Sequence, residues 1–340
     1  MKSMAKKKLL ACGLALGLGA SLHGTAHAQA DLLYYGVLDF SYGRFEASGA
    51  EAVHRFNSNS LTASHVGARA SYGLDGGWTP GIQLESFIRF QDFKLGRNDD
   101  DPILSRNAFV FLSNPRFGSL RVGRLQTLLF DTTNRFNAMG NSVAFSPAIR
   151  HIFASGDLEG VQGDFYWNRA AGYVTPNFEG VTGSLMYALG PTDERSDLAG
   201  ANILVSRGLF AAALSAQRVH VNDGIADPTD EQTWQLGATY NFGWARVFGL
   251  YTRTDDKGLD VRSNIYSGGA AMPLGPGTLQ FQAGLTKAAG TAVDRKHTSI
   301  SAAYVYAYDS VTDLYVVGMN DRIRGQTEGV SAAIGIRYRF

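Results

Sequence analysis

Three features of this sequence predict an all-β chain closed as a transmembrane β-barrel. After the first 28 residues no stretch approaches the roughly 18 consecutive apolar residues of a membrane helix, so helical spans are excluded. Alternating apolar and polar segments of about ten residues recur almost to the end, separated by turn clusters. The last of them is Ala333-Ile334-Gly335-Ile336-Arg337-Tyr338-Arg339-Phe340. Phe340, Tyr338, Ile336 and Ile334 share one of its faces, and Arg339, Arg337, Gly335 and Ala333 the other. A strand standing between lipid and water needs that pairing of an apolar and a polar face.

The first element is expected to be an export signal. Lys2, Lys6, Lys7 and Lys8 precede an apolar run from Leu9 to about Ala20, and Ala26-His27-Ala28 supplies a small-x-small cleavage pattern. The run is too short and glycine-rich to span a bilayer. Cys12 follows Lys8 too closely for a lipoprotein signal, which needs an apolar core before its cysteine. Residues 1–28 are therefore read as a signal peptide and 29–340 as the barrel. Cleavage would remove four lysines and the single cysteine, moving the formal charge from +1 to −3. A nucleic-acid partner is not expected from that balance, nor is a disulfide or thiol chemistry.

Strand candidates follow in order. Tyr34 to Tyr42 sets Tyr34, Leu38, Phe40 and Tyr42 against Asp39 and Ser41, and Gly81 to Phe93 sets Ile82, Leu84, Ile88 and Phe90 against Gln83, Glu85, Arg89 and Gln91. Later ones include Thr233 to Phe242, Ala245 to Thr254, Thr278 to Lys287, Thr298 to Tyr308 and Val311 to Met319. Tight turns such as Asn114-Pro115-Arg116-Phe117-Gly118 and Asn241-Phe242-Gly243 alternate with longer polar links at 46–60, 94–101, 190–199, 221–231, 288–296 and 320–326. Two unlike rims of this kind belong to a barrel, and sixteen candidate strands can be counted.

One segment breaks the rhythm. Residues 125–164 form a loop far longer than the roughly 15 residues at which a structureless loop is usually functional. It mixes Phe130, Phe136, Phe145 and Phe153 with polar residues, so it is expected to pack against the barrel interior.

Four stretches carry a family resemblance: Leu33-Tyr34-Tyr35-Gly36-Val37-Leu38-Asp39, Gly81-Ile82-Gln83-Leu84-Glu85-Ser86, Ser105 to Leu112 continuing through Phe117 to Arg124, and Gly335 to Phe340. In them the chain resembles the general porins of Gram-negative outer membranes, most closely those of betaproteobacteria. The resemblance implies a 16-stranded antiparallel barrel and a homotrimer in outer-membrane lipid and lipopolysaccharide. It also implies a third loop folded into the lumen, with carboxylates facing a basic wall, and a terminal Phe340 read by the barrel-assembly machinery. The implied activity is passive diffusion of small hydrophilic solutes and ions. Departures from the pattern remove fixed cations and argue against strong anion selectivity. Ser64-His65-Val66-Gly67 carries His65 where the family often has Arg, Ser310-Val311 replaces a Lys-Arg pair, and Tyr166 corresponds to the family's Arg after the third loop, with Arg169 nearby in a different register.

Parity and the resemblance together nominate His65, Arg69, Arg89, Arg106 and Arg121 as the basic wall, with Arg106 inward alongside Ala108 and Val110. Asp131, Asp157 and Glu159 are the facing loop carboxylates. His65 would make selectivity drift toward anions as pH falls. No catalytic residue, metal site or cofactor is expected. The mature chain holds five scattered histidines (His54, His65, His151, His220, His297), without His-x-x-x-His, Gly-x-Ser-x-Gly or a phosphate loop. The competing readings are a channel specific for a sugar, with Tyr166, Trp167 and Tyr173 as a stacking track, or for an anion. A barrel enzyme or adhesin is the reading from another class.

Overall fold

The computed structural model describes residues 30–154, 160–190, 196–221 and 229–340; the expected signal peptide lies outside them. Sixteen strands among the described residues form the barrel: β1 Ala30–Phe45, β2 His65–Tyr72, β3 Thr79–Arg89, β4 Ala108–Asn114, β5 Gly118–Gln126, β6 Tyr166–Val174, β7 Val181–Leu189 and β8 Asp197–Arg207. They continue as β9 Phe210–Val221, β10 Thr229–Asn241, β11 Arg246–Asp256, β12 Val261–Leu274, β13 Gly277–Gly290, β14 Asp294–Ala307, β15 Thr312–Ile323 and β16 Gly329–Arg339. Each strand pairs antiparallel with its neighbours, and β16 returns to β1 in a register from Val37 opposite Arg339 to Arg44 opposite Ala332. Two short strands, Val53–Asn57 and Lys94–Leu95, sit in the β1–β2 and β3–β4 links, the first pairing with the end of β1 and the second with that of β3.

The alternation read from sequence becomes an outer and an inner surface. On β10, Trp234 and Leu236 are more than half exposed while Thr233, Gln235 and Thr239 are buried. On β16, Val330, Ile334, Ile336 and Tyr338 face outward, whereas Arg337 and Arg339 turn inward to Asp313 of β15. Lipid supplies no hydrogen bonds, so only a closed ladder with an apolar exterior is stable there.

Tight turns define one rim. At the β4–β5 turn, Asn114 Oδ1 accepts the Arg116 N–H at 2.9 Å, and Gly118 takes φ 84. A side chain at Gly118 would meet the Val174 carbonyl at 2.2 Å. At the other rim two expected long links are short. β13 runs to Gly290 and β14 starts at Asp294, with Lys287 opposite Lys296, so most of 288–296 is strand. Their polarity marks where the wall leaves lipid, not where the strand ends. Similarly, β15 extends to Ile323, into the first half of the expected 320–326 link.

The seam is pinned from inside. The buried Asp39 of β1 accepts the backbone N–H groups of Ser60 (3.2 Å), Leu61 (3.2 Å) and Thr62 (2.9 Å) and the Tyr315 hydroxyl of β15 (2.7 Å). Arg337 donates to Asp313 and, at 2.8 Å, to Thr62 Oγ1. Phe340 exchanges backbone hydrogen bonds with Gly36 at 3.1 and 3.2 Å. Removing one donor from a buried carboxylate costs about 1–3 kcal/mol. Tyr315→Phe should therefore lower the urea midpoint of the refolded barrel, as followed by tryptophan fluorescence, and an unchanged midpoint would show that the seam does not depend on this bond.

Candidate functional site

The segment between β5 and β6 begins with α1 (Leu128–Arg135). Thr127 caps it, its hydroxyl accepting the Phe130 N–H, and Asp131 in the first turn and Arg135 in the last complement the helix dipole. Two further hydroxyl caps follow: Ser142 accepts the Phe145 N–H at 2.9 Å, and Ser146 the Ile149 N–H at 3.3 Å. A polar, hydroxyl-rich sequence thus holds compact turns without a long helix.

The segment bonds to inward-facing side chains of the strands. Thr132 Oγ1 lies 2.7 Å from Ser215 Oγ of β9 and accepts Asn202 Nδ2 of β8 at 2.8 Å; Gln235 Nε2 of β10 donates to Thr133 at 2.8 Å. His151 reaches Thr286 of β13 through Nδ1 at 2.7 Å and Ser299 of β14 through Nε2 at 2.9 Å. Its ring stacks on His297 at 4.1 Å, and His297 in turn contacts Asp321 at 2.6 Å. Phe136 fills the space that Gly237 leaves open, 2.5 Å from where a β-carbon would stand. Burial first, and then the neighbouring His297, push the His151 imidazole down to about 3.

Two of the cavities beside the segment share no lining residue. The first, 450 Å³, lies toward the tight-turn rim and is lined by Arg69, Arg121, Asp131 and Arg135 beside Phe109 and Phe111. Arg69 lies over the Phe111 ring at 4.4 Å and Arg121 over Phe109 at 5.7 Å. None of these three arginines has a carboxylate within ion-pair distance among the described residues, whereas Arg97, Arg106, Arg337 and Arg339 all do. The protein walls around Asp131 raise its carboxyl above the ordinary range, and Arg135 and Arg121 pull it back. The second cavity, 480 Å³, lies toward the long-loop rim and contains Arg55, Arg97, Arg106 and Arg150 among aromatic rings.

The nominated residues do not form one wall. Arg69, Arg121 and Asp131 meet in the first cavity. Arg106 enters the second, donating to Glu85 at 3.2 Å and to the Tyr166 hydroxyl at 3.2 Å. His65 is buried, its Nδ1 2.9 Å from the Ala63 carbonyl, and lines neither cavity. Arg89 is held by Asp92 at 3.2 Å and Asp99 at 2.5 Å in the β3–β4 link. Asp157 and Glu159 lie outside the described residues.

The parity argument for Arg106 fails for a physical reason. Arg106 and Asn107 both reach Glu85, a doubling that breaks the alternation, so Val110 and Leu112 face out and Phe109 and Phe111 in. Tyr166 lines the second cavity and Tyr173 the first, while Trp167 is buried with its indole donating to the Gly163 carbonyl, so the three rings do not share one surface. Sequence reasoning missed Arg135, Arg55 and Arg150. Arg135 was discernible, standing four residues after Asp131 on one helix face.

The family model for Gram-negative porins matches residues 14–326. Outer membrane porin protein 32 of Delftia acidovorans is 30% identical over 329 residues, covering 91% of this chain and 88% of that protein. An outer membrane porin of Bordetella pertussis is 22% identical, covering 98% of this chain and all of that one. Among solved structures, the anion-selective porin from Comamonas acidovorans matches with TM-score 0.77 at 23% identity, covering 92% of this chain and 100% of that chain. OmpT of Vibrio cholerae in its trimer form matches at 0.68 and 15% identity, covering 92% and 99%.

His151 carries a pH signature. Its folded-state pKa lies far below the unfolded value of about 6.5, so the unfolded chain takes up a proton first as pH falls. Its neutral burial should add nothing to pH dependence above about 6.5 and subtract stability progressively between there and about 3. His151→Gln should flatten the acid fall of the melting temperature relative to the wild-type protein, and parallel curves would sink this assignment.

Proposed function

This chain belongs to the Gram-negative porins, barrels of the outer membrane that pass small hydrophilic solutes passively, and from that premise we propose that its channel prefers anions. The observation that carries the reading is the set of three arginines, Arg69, Arg121 and Arg135, around a 450 Å³ cavity with one carboxylate, Asp131. Guanidinium groups left without ion partners in a narrow watery space attract anions and repel cations. Aromatic rings beneath two of them hold the charges in place without neutralising them. Anion selectivity is also the property named for the Comamonas structure, though the proposal for this chain stands on its arginines. The substitutions at 65 and 310–311 that argued against strong selectivity are offset by Arg135 from the loop.

In the same reading, the 125–164 loop is folded into the lumen and narrows it, supported by its hydroxyl bonds to β8, β9, β10, β13 and β14. The active unit is a homotrimer, as in the trimer form of OmpT. Residues 1–28 are removed on export, and Phe340 serves as the assembly signal.

Reconstitution in planar bilayers tests the whole. Conductance should rise in groups of three steps, and under a KCl gradient the reversal potential should report more chloride than potassium. Arg69→Gln and Arg121→Gln should each move it toward potassium. Asp131→Asn should move it toward chloride. Acidification from neutral toward about pH 4 should do the same in the wild type and much less in Asp131→Asn, because the raised carboxyl loses its charge early. A potassium-preferring channel, or variants that leave the potential unmoved, would refute the anion reading.

A further inference from the structure

The second cavity has a chemistry of its own. It opens toward the long-loop rim, and its 480 Å³ falls within the roughly 300–1,000 Å³ of small-ligand sites. One part of its lining is aromatic. Phe130 stands 4.6 Å from Phe165 and 6.2 Å from Tyr166, and Phe87 meets Tyr166 edge-on at 5.7 Å. The other part is cationic, and its four arginines are not equivalent. Arg97 is saturated by Asp101 at 2.8 Å and Asp164 at 2.5 Å, and Arg106 is held by Glu85.

Two cations remain. Arg55 makes no ion pair among the described residues and lies over the Phe45 ring at 5.0 Å. Among the described residues Arg150 reaches one carboxylate, Asp321, at 3.5 Å, and that carboxylate already holds His297 at 2.6 Å. The Nε of Arg150 is shielded from solvent and has no hydrogen-bond acceptor among the described residues. Two acids also line the cavity: Glu46, tied to Arg44 at 2.7 Å, and Glu51 on the loop after β1, so four guanidinium groups face two carboxylates.

A guest that satisfies both parts must carry a flat apolar body and a negative head. Asn57, Asn59 and Asn141 of the lining carry both donors and acceptors and discriminate little, whereas the guanidinium groups only donate and so favour a guest with an anionic acceptor. A cation drawn to the aromatic faces would meet four arginines. We propose that the cavity is a binding subsite for an aromatic carboxylate, which docks its ring against the Phe130 cluster and its carboxylate on Arg55 or Arg150. Solutes from the long-loop side meet it before the arginines of the first cavity. The inference rests on the anion reading above and names its substrate class.

Ion current through the reconstituted channel tests it with three probes added on the long-loop side: phthalate, succinate as an aliphatic dianion of equal charge, and benzyl alcohol as a neutral aromatic. Phthalate should reduce the current saturably at a concentration about tenfold below that for succinate, as expected for about 1–2 kcal/mol from aromatic and cation–π contact. Benzyl alcohol should have no effect at that concentration. Phe130→Ala should bring phthalate to the succinate level while leaving succinate where it was, and Arg55→Gln should weaken both. Phe165→Ala, whose ring lines the same cavity 4.6 Å from that of Phe130, carries the same test should the Phe130 variant fail to assemble. Equal action of phthalate and succinate, or of phthalate and benzyl alcohol, would overturn the subsite. The KCl reversal potential judges the underlying anion preference separately, so the two readings fail by different measurements.

Discussion

Backbone pairing in a solvent without hydrogen-bond partners is the constraint on which this protein depends. An open sheet in lipid would leave a row of N–H and C=O groups unmatched at each edge, and each costs several kcal/mol. The sixteen-strand ladder removes the edges by returning β16 to β1. Everything else follows from that closure. With lipid outside, the outer side chains must be apolar, and alternation then commits the inner ones to be polar.

That inner polarity creates a second requirement. Thr132, Thr133, Ser146 and His151 of the loop meet Ser215, Asn202, Gln235, Gln282, Thr286 and Ser299 of the wall, so groups that might have faced bulk water face one another. One side of the loop is used up in this match. Its other side carries Asp131 and Arg135 to the cavity that holds Arg69 and Arg121. The same hydroxyl chemistry that caps its turns thus attaches the segment and leaves its charges free.

The arginines divide by company. Where a carboxylate stands beside one, as with Arg106 and Glu85 or Arg97 and Asp101, the pair braces a link against the wall. Where an aromatic ring stands there instead, as with Arg69 on Phe111, Arg121 on Phe109 and Arg55 on Phe45, position is fixed and charge survives. A count of arginines in the sequence cannot separate these two uses.

The sequence by itself determined the barrel, the number of strands, the odd segment at 125–164 and the apolar and polar faces of β16, because alternation is a local property read at spacing two. The same rule misplaced the register at Arg106, where a bulge doubles the inward residues. It also read 288–296 as a link, because strands that rise above lipid lose their apolar face. Only the tertiary structure decided which charges are free. Asp99 and Asp92 reach Arg89 within their own link, Glu85 reaches Arg106 across strands, and Asp39 gathers Ser60 to Thr62 and Tyr315 from opposite ends of the chain. Whether a charge is neutralised depends on a partner a few ångströms away in space, at a sequence distance that no periodicity encodes.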